Sequence, residues 1–319
     1  MKKLNIDLYK SLFLIRSVEE KIRQIYPRNE IKMPTHLAIG EEAIATGVCR
    51  ALSSADQIFG SYRNHGIYLA KTGETDDFFA ELFGKKSGLS KGKAGSMHVM
   101  SPEHNVLGTS AIVASMIPVA VGAAFANQYK KNNRLVAVFF GDGAVDEGAF
   151  WESINFACLK KLPIIFVCED NGYAIHSHVS ERHSYQSITQ VISRFNCHVF
   201  ESESTDAEII YKLTKKAIKL LSASPKPVFM HLKYYRYLEH VGINQDFNFG
   251  YRPKKEYEKW LKIDPVNLQR KKLVKAGCDE KIIQTIENNI IKKIENSVRW
   301  ARKELLPAID ELYTDVYYE

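Results

Sequence analysis

Apolar and polar positions along the 319-residue chain change period several times, and each change marks an element. Leu8, Leu12, Ile15, Val18 and Ile22 recur at helical spacing and predict an amphipathic helix at the N-terminus. A turn over 27–34 follows, then a helix over 41–52 and a short strand near 57–59. From residue 135 the pattern is regular: the apolar run LVAVFF, the turn GDGAVDEG, a helix over 149–160, the run PIIFVCE and the turn DNGY make a βαβ unit. A second unit has CHVFE as strand, a helix from about Asp206 opened by a capping-box pattern from Thr205 to Glu208, and KPVFMHLKY as strand. Continuous apolar strands separated by helices predict an α/β fold, a parallel sheet covered by helices on both faces. Beyond Arg252 the strand-like runs stop, and Asp264-Pro265 reads as an N-cap followed by proline at the first helical position. The expected division is therefore an α/β domain over 1–253 and a helical extension over 254–319 that packs on it or on a partner subunit.

Two segments imitate other classes. The N-terminal apolar run is broken by Asp7, Lys10 and Arg16 and lacks a small-residue cleavage site, so it is not read as a signal peptide. AIVASMIPVAVGAAFA, at 111–126, is shorter than the roughly 20 residues of a membrane span and contains Pro118; it reads as a buried small-residue helix. GKKSGLSKGKAG, at 84–95, reads as a loop whose lysines are solvated or meet a partner.

Hydrophobic residues at 45% and charged residues at 25% are ordinary for a globular protein and exclude collagen-like, disordered and disulfide-scaffold classes. The net charge of +7 comes from scattered residues, and no recognised RNA or DNA motif accompanies it, which sets aside a nucleic-acid binder. Five cysteines, never spaced C-x-x-C, support neither a disulfide framework nor a zinc knuckle; a reducing, cytoplasmic setting is expected.

Loops at the carboxyl ends of parallel strands form the ligand crevice of such sheets, and both GDG and DNGY directly follow strands. Asp142 and Asn171 are separated by one crossover helix and one strand; if the two strands are neighbours, about 4.8 Å apart, both side chains reach one ion. One carboxylate with an amide oxygen and a backbone carbonyl is a hard donor set, short of charge for magnesium unless a polyphosphate completes the octahedron. Gly141 and Gly143 let backbone N–H groups approach such an anion at the start of a helix. GDG by itself is read first as only a tight turn; the matched asparagine one unit later reverses that in favour of the ion. Asp146 and Glu147 are expected to favour the following helix N-terminus, and His176, His178 and His183 to form a polar loop without a fourth metal ligand.

The stretch GDGAVDEGAFWESINFACLKKLPIIFVCEDNGYAI, with THLAIGEEAIATGV, SYRNHG, KGKAGSMH, AIVASMIPVAVGAA, YRYLEH and a later GYR in order, resembles the alpha subunit of the thiamine-diphosphate-dependent first component of 2-oxo-acid dehydrogenase complexes, pyruvate or acetoin dehydrogenase-like. The resemblance implies a thiamine-diphosphate-binding α/β fold. Asp142 and Asn171 would be magnesium ligands and Tyr173 would add its backbone carbonyl, while Gly143 and Ala144 would contact the diphosphate. Tyr62 and Arg63 match a Tyr-Arg pair whose guanidinium takes phosphate oxygens. Ala111 would offer a backbone oxygen to the aminopyrimidine and Val113 would wedge the cofactor into its bent form. His36 and His240 would contact the cofactor and His65 would face the substrate, with His65 and His240 able to move protons. It also implies a beta subunit in an α2β2 assembly, with the acyl group passed to lipoamide on a lipoyl acyltransferase.

Three departures stand out. Asp170 precedes Asn171 where members often have a second asparagine, and Thr109-Ser110-Ala111 replaces a glycine-rich block. Val241 replaces the phosphorylatable serine that regulated mitochondrial members carry after the matching histidine, in a longer loop, so phosphate control there is excluded. The altered loop leaves open transfer of a two-carbon unit to an acceptor in a biosynthetic pathway, for example a sugar. Intact Asp142, Asn171, Arg63 and His240 argue against a catalytically silent scaffold.

Overall fold

A computed structural model describes residues 2–314; the last five residues of the expected C-terminal extension lie outside the described residues. In chain order the elements are α1 (Lys2–Ile25), α2 (Glu42–Ala51), β1 (Gln57–Ser61), α3 (His65–Thr72), α4 (Asp76–Leu82), β2 (Val106–Ser110), α5 (Met116–Lys130), β3 (Val136–Gly141), α6 (Gly148–Lys160) and β4 (Ile164–Asp170). There follow β5 (Tyr173–Ala174), β6 (Ser177–His178), α7 (Val179–Arg182), α8 (Ile188–Ile192), β7 (His198–Ser202), α9 (Ala207–Ala223), β8 (Val228–Lys233), α10 (Lys254–Leu261), α11 (Pro265–Lys275) and α12 (Glu280–Lys303). One six-stranded sheet has the order β2-β1-β3-β4-β8-β7, and all its pairings are parallel.

Alternate residues of the central strands enter two separate cores, because side chains on a strand point to opposite faces. Ala137, Phe139, Ile165, Val167, Val228 and Met230 pack with α1, α2, α9 and α12 on one face. Val138, Phe140, Ile164, Phe166, Cys168 and Phe229 pack with α5, α6 and α8 on the other. A third cluster joins Leu8, Tyr9 and Leu12 of α1 to Val266, Leu273 and Ile283 of α11 and α12. Asp264 caps α11, accepting from the Asn267 N–H at 2.9 Å, ahead of Pro265.

Three local expectations are corrected. The cap of α9 is Asp206, which accepts from the Glu208 N–H at 3.0 Å, whereas the Thr205 hydroxyl donates to the Ile263 carbonyl across the fold. The apolar stretch at 111–126 forms a helix only from Met116, and that helix is buried on one face alone: Ile117, Ala120, Val121 and Ala124 face the sheet while Val119, Phe125 and Tyr129 are exposed. The loop at 84–95 is neither free nor merely solvated. The buried Glu81 carboxylate accepts from the N–H groups of Ser90, Gly92, Ala94 and Gly95 at 2.8–3.0 Å, and Lys85, Lys86 and Lys93 bind the chain's own residues 304–314.

Candidate active site

Strands β3 and β4 end together, with Gly141 opposite Glu169. Beyond β3 a 3-10 turn begins at Asp142, and beyond β4 the chain folds back as the β5-β6 hairpin. Asp170 and Asn171 shape that reversal: Asp170 Oδ1 accepts from the Gly172 N–H at 2.7 Å and Asn171 Oδ1 from the Tyr173 N–H at 3.0 Å, while Gly172 takes φ +82°. The Asn171 amide also donates to the Tyr234 hydroxyl at 2.9 Å. Turn and hairpin meet at Gly143, where an added Cβ would lie 2.9 Å from that of Ala174.

The tips frame a cavity of about 290 Å³ whose walls include Tyr62, Arg63, Val113, Asp142, Gly143, Ala144, Asn171, Tyr173 and His240. His36 adjoins this wall, its ring 4.4 Å from that of Tyr62 and 5.1 Å from that of His240. Its Nδ1 is buried without a hydrogen-bond partner. Arg63 is buried and donates to the carbonyls of Leu37, at 2.5 Å, and His240, at 3.1 Å, which commits two of the five N–H groups of a guanidinium. A second cavity of about 1120 Å³ lies across the hairpin and shares Asp142, Asn171, Tyr173 and Tyr234 with the first.

Two expected positions stand apart. His65 does not face the cleft: it is fully buried, with Nδ1 2.8 Å from Glu19 and Nε2 2.8 Å from the Ser96 hydroxyl, so both ring nitrogens are spent in tying α1 and α3 to the loop at Ser96. Its expected substrate-facing role is corrected accordingly. Ala111 is absent from the cavity wall, and its N–H donates to His98 Nε2 at 3.2 Å.

Burial, more than charge, sets the protonation of the cleft's histidines. Burial and the Arg63 cation lower His36 to about 3, and burial with Arg63 and Arg236 lowers His240 to about 3, so both imidazoles are neutral near pH 7. Burial and the neighbouring Asp170 push Asp142 up to about 6 against the pull of Arg182.

The sequence pattern did not show how several residues serve the site. Arg182, one arginine in a polar loop, forms ion pairs with Asp142 and Asp146. Asp146 also meets His183 Nε2 at 2.6 Å, so it serves this loop and not the helix N-terminus expected for it. His178 Nδ1 lies 2.8 Å from Ser180 Oγ, and the His176 ring is tilted against that of Tyr251, 4.5 Å between centroids. Glu41 and Glu169 are buried carboxyls on the cavity wall, Glu41 raised by burial to about 7 and Glu169 well above the usual range. Arg236 lies in the YRYLEH segment and Arg252 in GYR. Both are buried: Arg252 Nε donates to Asp246 at 2.8 Å and Arg236 to the Tyr251 hydroxyl at 2.9 Å, bracing the loop that follows His240. Gly242 N–H donates to the Thr35 carbonyl at 2.9 Å and closes that loop beside His36.

Residues 10–310 match the family model described as dehydrogenase E1 component. The chain belongs to this E1 family. It is 32% identical over 313 residues to the pyruvate dehydrogenase E1 component subunit alpha of Zymomonas mobilis, covering 98% of this chain and 88% of that one. To the subunit of the same name from Rhizobium meliloti it is 32% identical over 317 residues, 99% and 90% of the two chains. To that of Porphyra purpurea it is 35% identical over 317 residues, 96% and 90% of the two chains. The E1 frame accounts for the parallel sheet and the crevice at its carboxyl edge, with Asp142 and Asn171 at two neighbouring tips.

Proposed function

We propose that this E1 chain is the alpha subunit of a thiamine-diphosphate- and magnesium-dependent enzyme that decarboxylates a pyruvate-like 2-oxo acid, or cleaves an acetoin-like hydroxyketone, and passes the acyl group to lipoamide. The observation that carries the reading is the pair Asp142 and Asn171, brought by adjacent strands to one cavity with Arg63 and His240 on its wall.

The residues fit the cofactor's charged end. Asp142 offers a buried carboxylate, Asn171 an amide oxygen and Tyr173 a backbone carbonyl, the hard oxygen donors that suit magnesium when phosphate oxygens complete the shell. The unpartnered Nδ1 of His36, the remaining donors of Arg63 and the N–H groups of Gly143 and Ala144 suit a diphosphate. An anion in this cleft would also offset the Arg63 charge that adds to burial in keeping His36 and His240 neutral. Val113, half-exposed at the rim, would support the bent cofactor, and Ala111 would offer its carbonyl to the aminopyrimidine. When bound, the thiazolium supplies the electron sink for breaking the bond beside the keto carbon. The chain's own part is to hold the diphosphate, shield it from water and, at His240, exchange a proton with the substrate.

A beta subunit in an α2β2 assembly fits the exposed apolar side chains of Val119, Phe125 and Tyr129 on α5 and of Phe156 and Leu159 on α6, of which the Phe125 and Phe156 rings meet at 6.0 Å, since exposed apolar surface of this kind calls for a partner. A lipoyl acyltransferase would be the acyl acceptor. Among the described residues no helix is long and apolar enough to cross a membrane, and all five cysteines are free, which suits a reducing cytoplasmic setting.

Calorimetry tests the site. Asp142→Ala should abolish magnesium-dependent thiamine diphosphate binding, because neutral donors cannot offset dehydration of the ion; unchanged affinity overturns the assignment. Incubation of the complex with a lipoyl domain and a 2-oxo acid should reduce that domain, whereas transfer to a sugar acceptor in its place would move the enzyme to biosynthesis.

A further inference from the structure

The cation paired with Asp142 belongs to the chain itself. Arg182 closes the short helix α7, and its two terminal nitrogens divide between Asp142 Oδ2 and Asp146 Oδ2, while its Nε donates to the Ser177 carbonyl at 3.3 Å. The guanidinium is largely sequestered, its side chain 12% exposed beside one of 6% for Asp142. His183 Nε2 holds the other oxygen of Asp146, so two consecutive residues clamp the 3-10 turn after β3.

We infer that Arg182 is an internal counter-cation, occupying the carboxylate of Asp142 in competition with the divalent cation of the proposed cofactor site. The inference rests on that reading of the site. A buried carboxylate without a cation costs desolvation that nothing repays, so a cation-free site needs a substitute charge. The guanidinium meets this need and presets the turn, but a fixed positive charge beside the same carboxylate repels an incoming dication. Loading the metal then means exchanging one cation for the other, and Arg182 sets the apparent metal affinity without being a ligand.

Electron paramagnetic resonance of Mn²⁺ tests this on the full chain, isolated in the assembly it forms in its own cells, with thiamine diphosphate present. If the Arg182-closed state outweighs the open one by about ten to one, Arg182→Gln should tighten apparent Mn²⁺ binding by about tenfold. Arg182→Lys keeps the competing charge and should bind as the wild type does. Binding left unchanged or weakened by Arg182→Gln overturns the inference, as does tightening by Arg182→Lys of the same size, which would make the effect one of loop packing. If the wild type retains no more Mn²⁺ than Asp142→Ala, the metal site itself is wrong and the inference falls with it.

Discussion

His36 and His240 show how one neighbour sets the chemistry of another. Both imidazoles are lowered to about 3, by burial first and then by Arg63, while an unfolded chain titrates them near 6.5. Below that value the unfolded state takes up protons that the folded state refuses, so stability is full above about pH 6.5 and is lost as pH falls towards 3. The cofactor-free chain should lose on the order of 3 kcal/mol by pH 4, most of it from His36, with the less buried His240 discounted for solvent screening. Thermal melts of the wild type and of His36→Asn/His240→Asn across that window check this; parallel pH profiles would refute it. Asp142 and Asn171 were legible in the sequence because each sits immediately after an apolar run, where local pattern fixes position. The fate of His65 was not, because the carboxylate that captures it, Glu19, lies on α1, and pattern does not say which histidine a distant glutamate finds. Arg182 was hidden for the same reason.

At the scale of elements, the lysine-rich loop at 84–95 owes its shape to one buried carboxylate. Glu81 gathers four backbone N–H groups, that of Gly95 buried and the other three part-buried, and a buried donor left unpaired costs about 1–3 kcal/mol. Glu81→Ala should therefore open the loop to trypsin at Lys85–Lys93 and lower stability by at least about 3 kcal/mol; unchanged cleavage would show that the contacts with residues 304–314 suffice. Gly143→Ala should displace the β5-β6 hairpin, since its Cβ would crowd that of Ala174. Cofactor affinity should fall while the melting temperature changes little, and calorimetry beside a thermal melt separates the two effects. The buried strands were readable because their runs are continuous and apolar. Strand β2 was not, since VLGTS is short and holds a glycine, and the exposed face of α5 was not, since a small-residue stretch does not reveal which side meets the sheet.

Across the whole molecule, α1 is the link between the sheet and the C-terminal helices. Leu8, Tyr9 and Leu12 are covered by Val266, Leu273 and Ile283, and Arg16 reaches Asp264 at 2.8 Å. A chain ending at Ile263 would expose these side chains, at about 1.5–3 kcal/mol for each large apolar group. Such a truncation should be insoluble or melt far below the full chain; a soluble fragment with a native melt would make 264–319 a separate unit. Lysine, glutamate and isoleucine announced the extension, but its docking surface on α1 is a long-range contact that no local pattern encodes.

The central claim is that two neighbouring strand tips hold one divalent cation and a diphosphate, and anomalous diffraction tests it most directly. In crystals grown with Mn²⁺ and thiamine diphosphate, the manganese peak should lie between Asp142, Asn171 and the Tyr173 carbonyl, with the diphosphate against Arg63. A peak elsewhere, or bound cofactor with no metal between the two tips, would contradict the account.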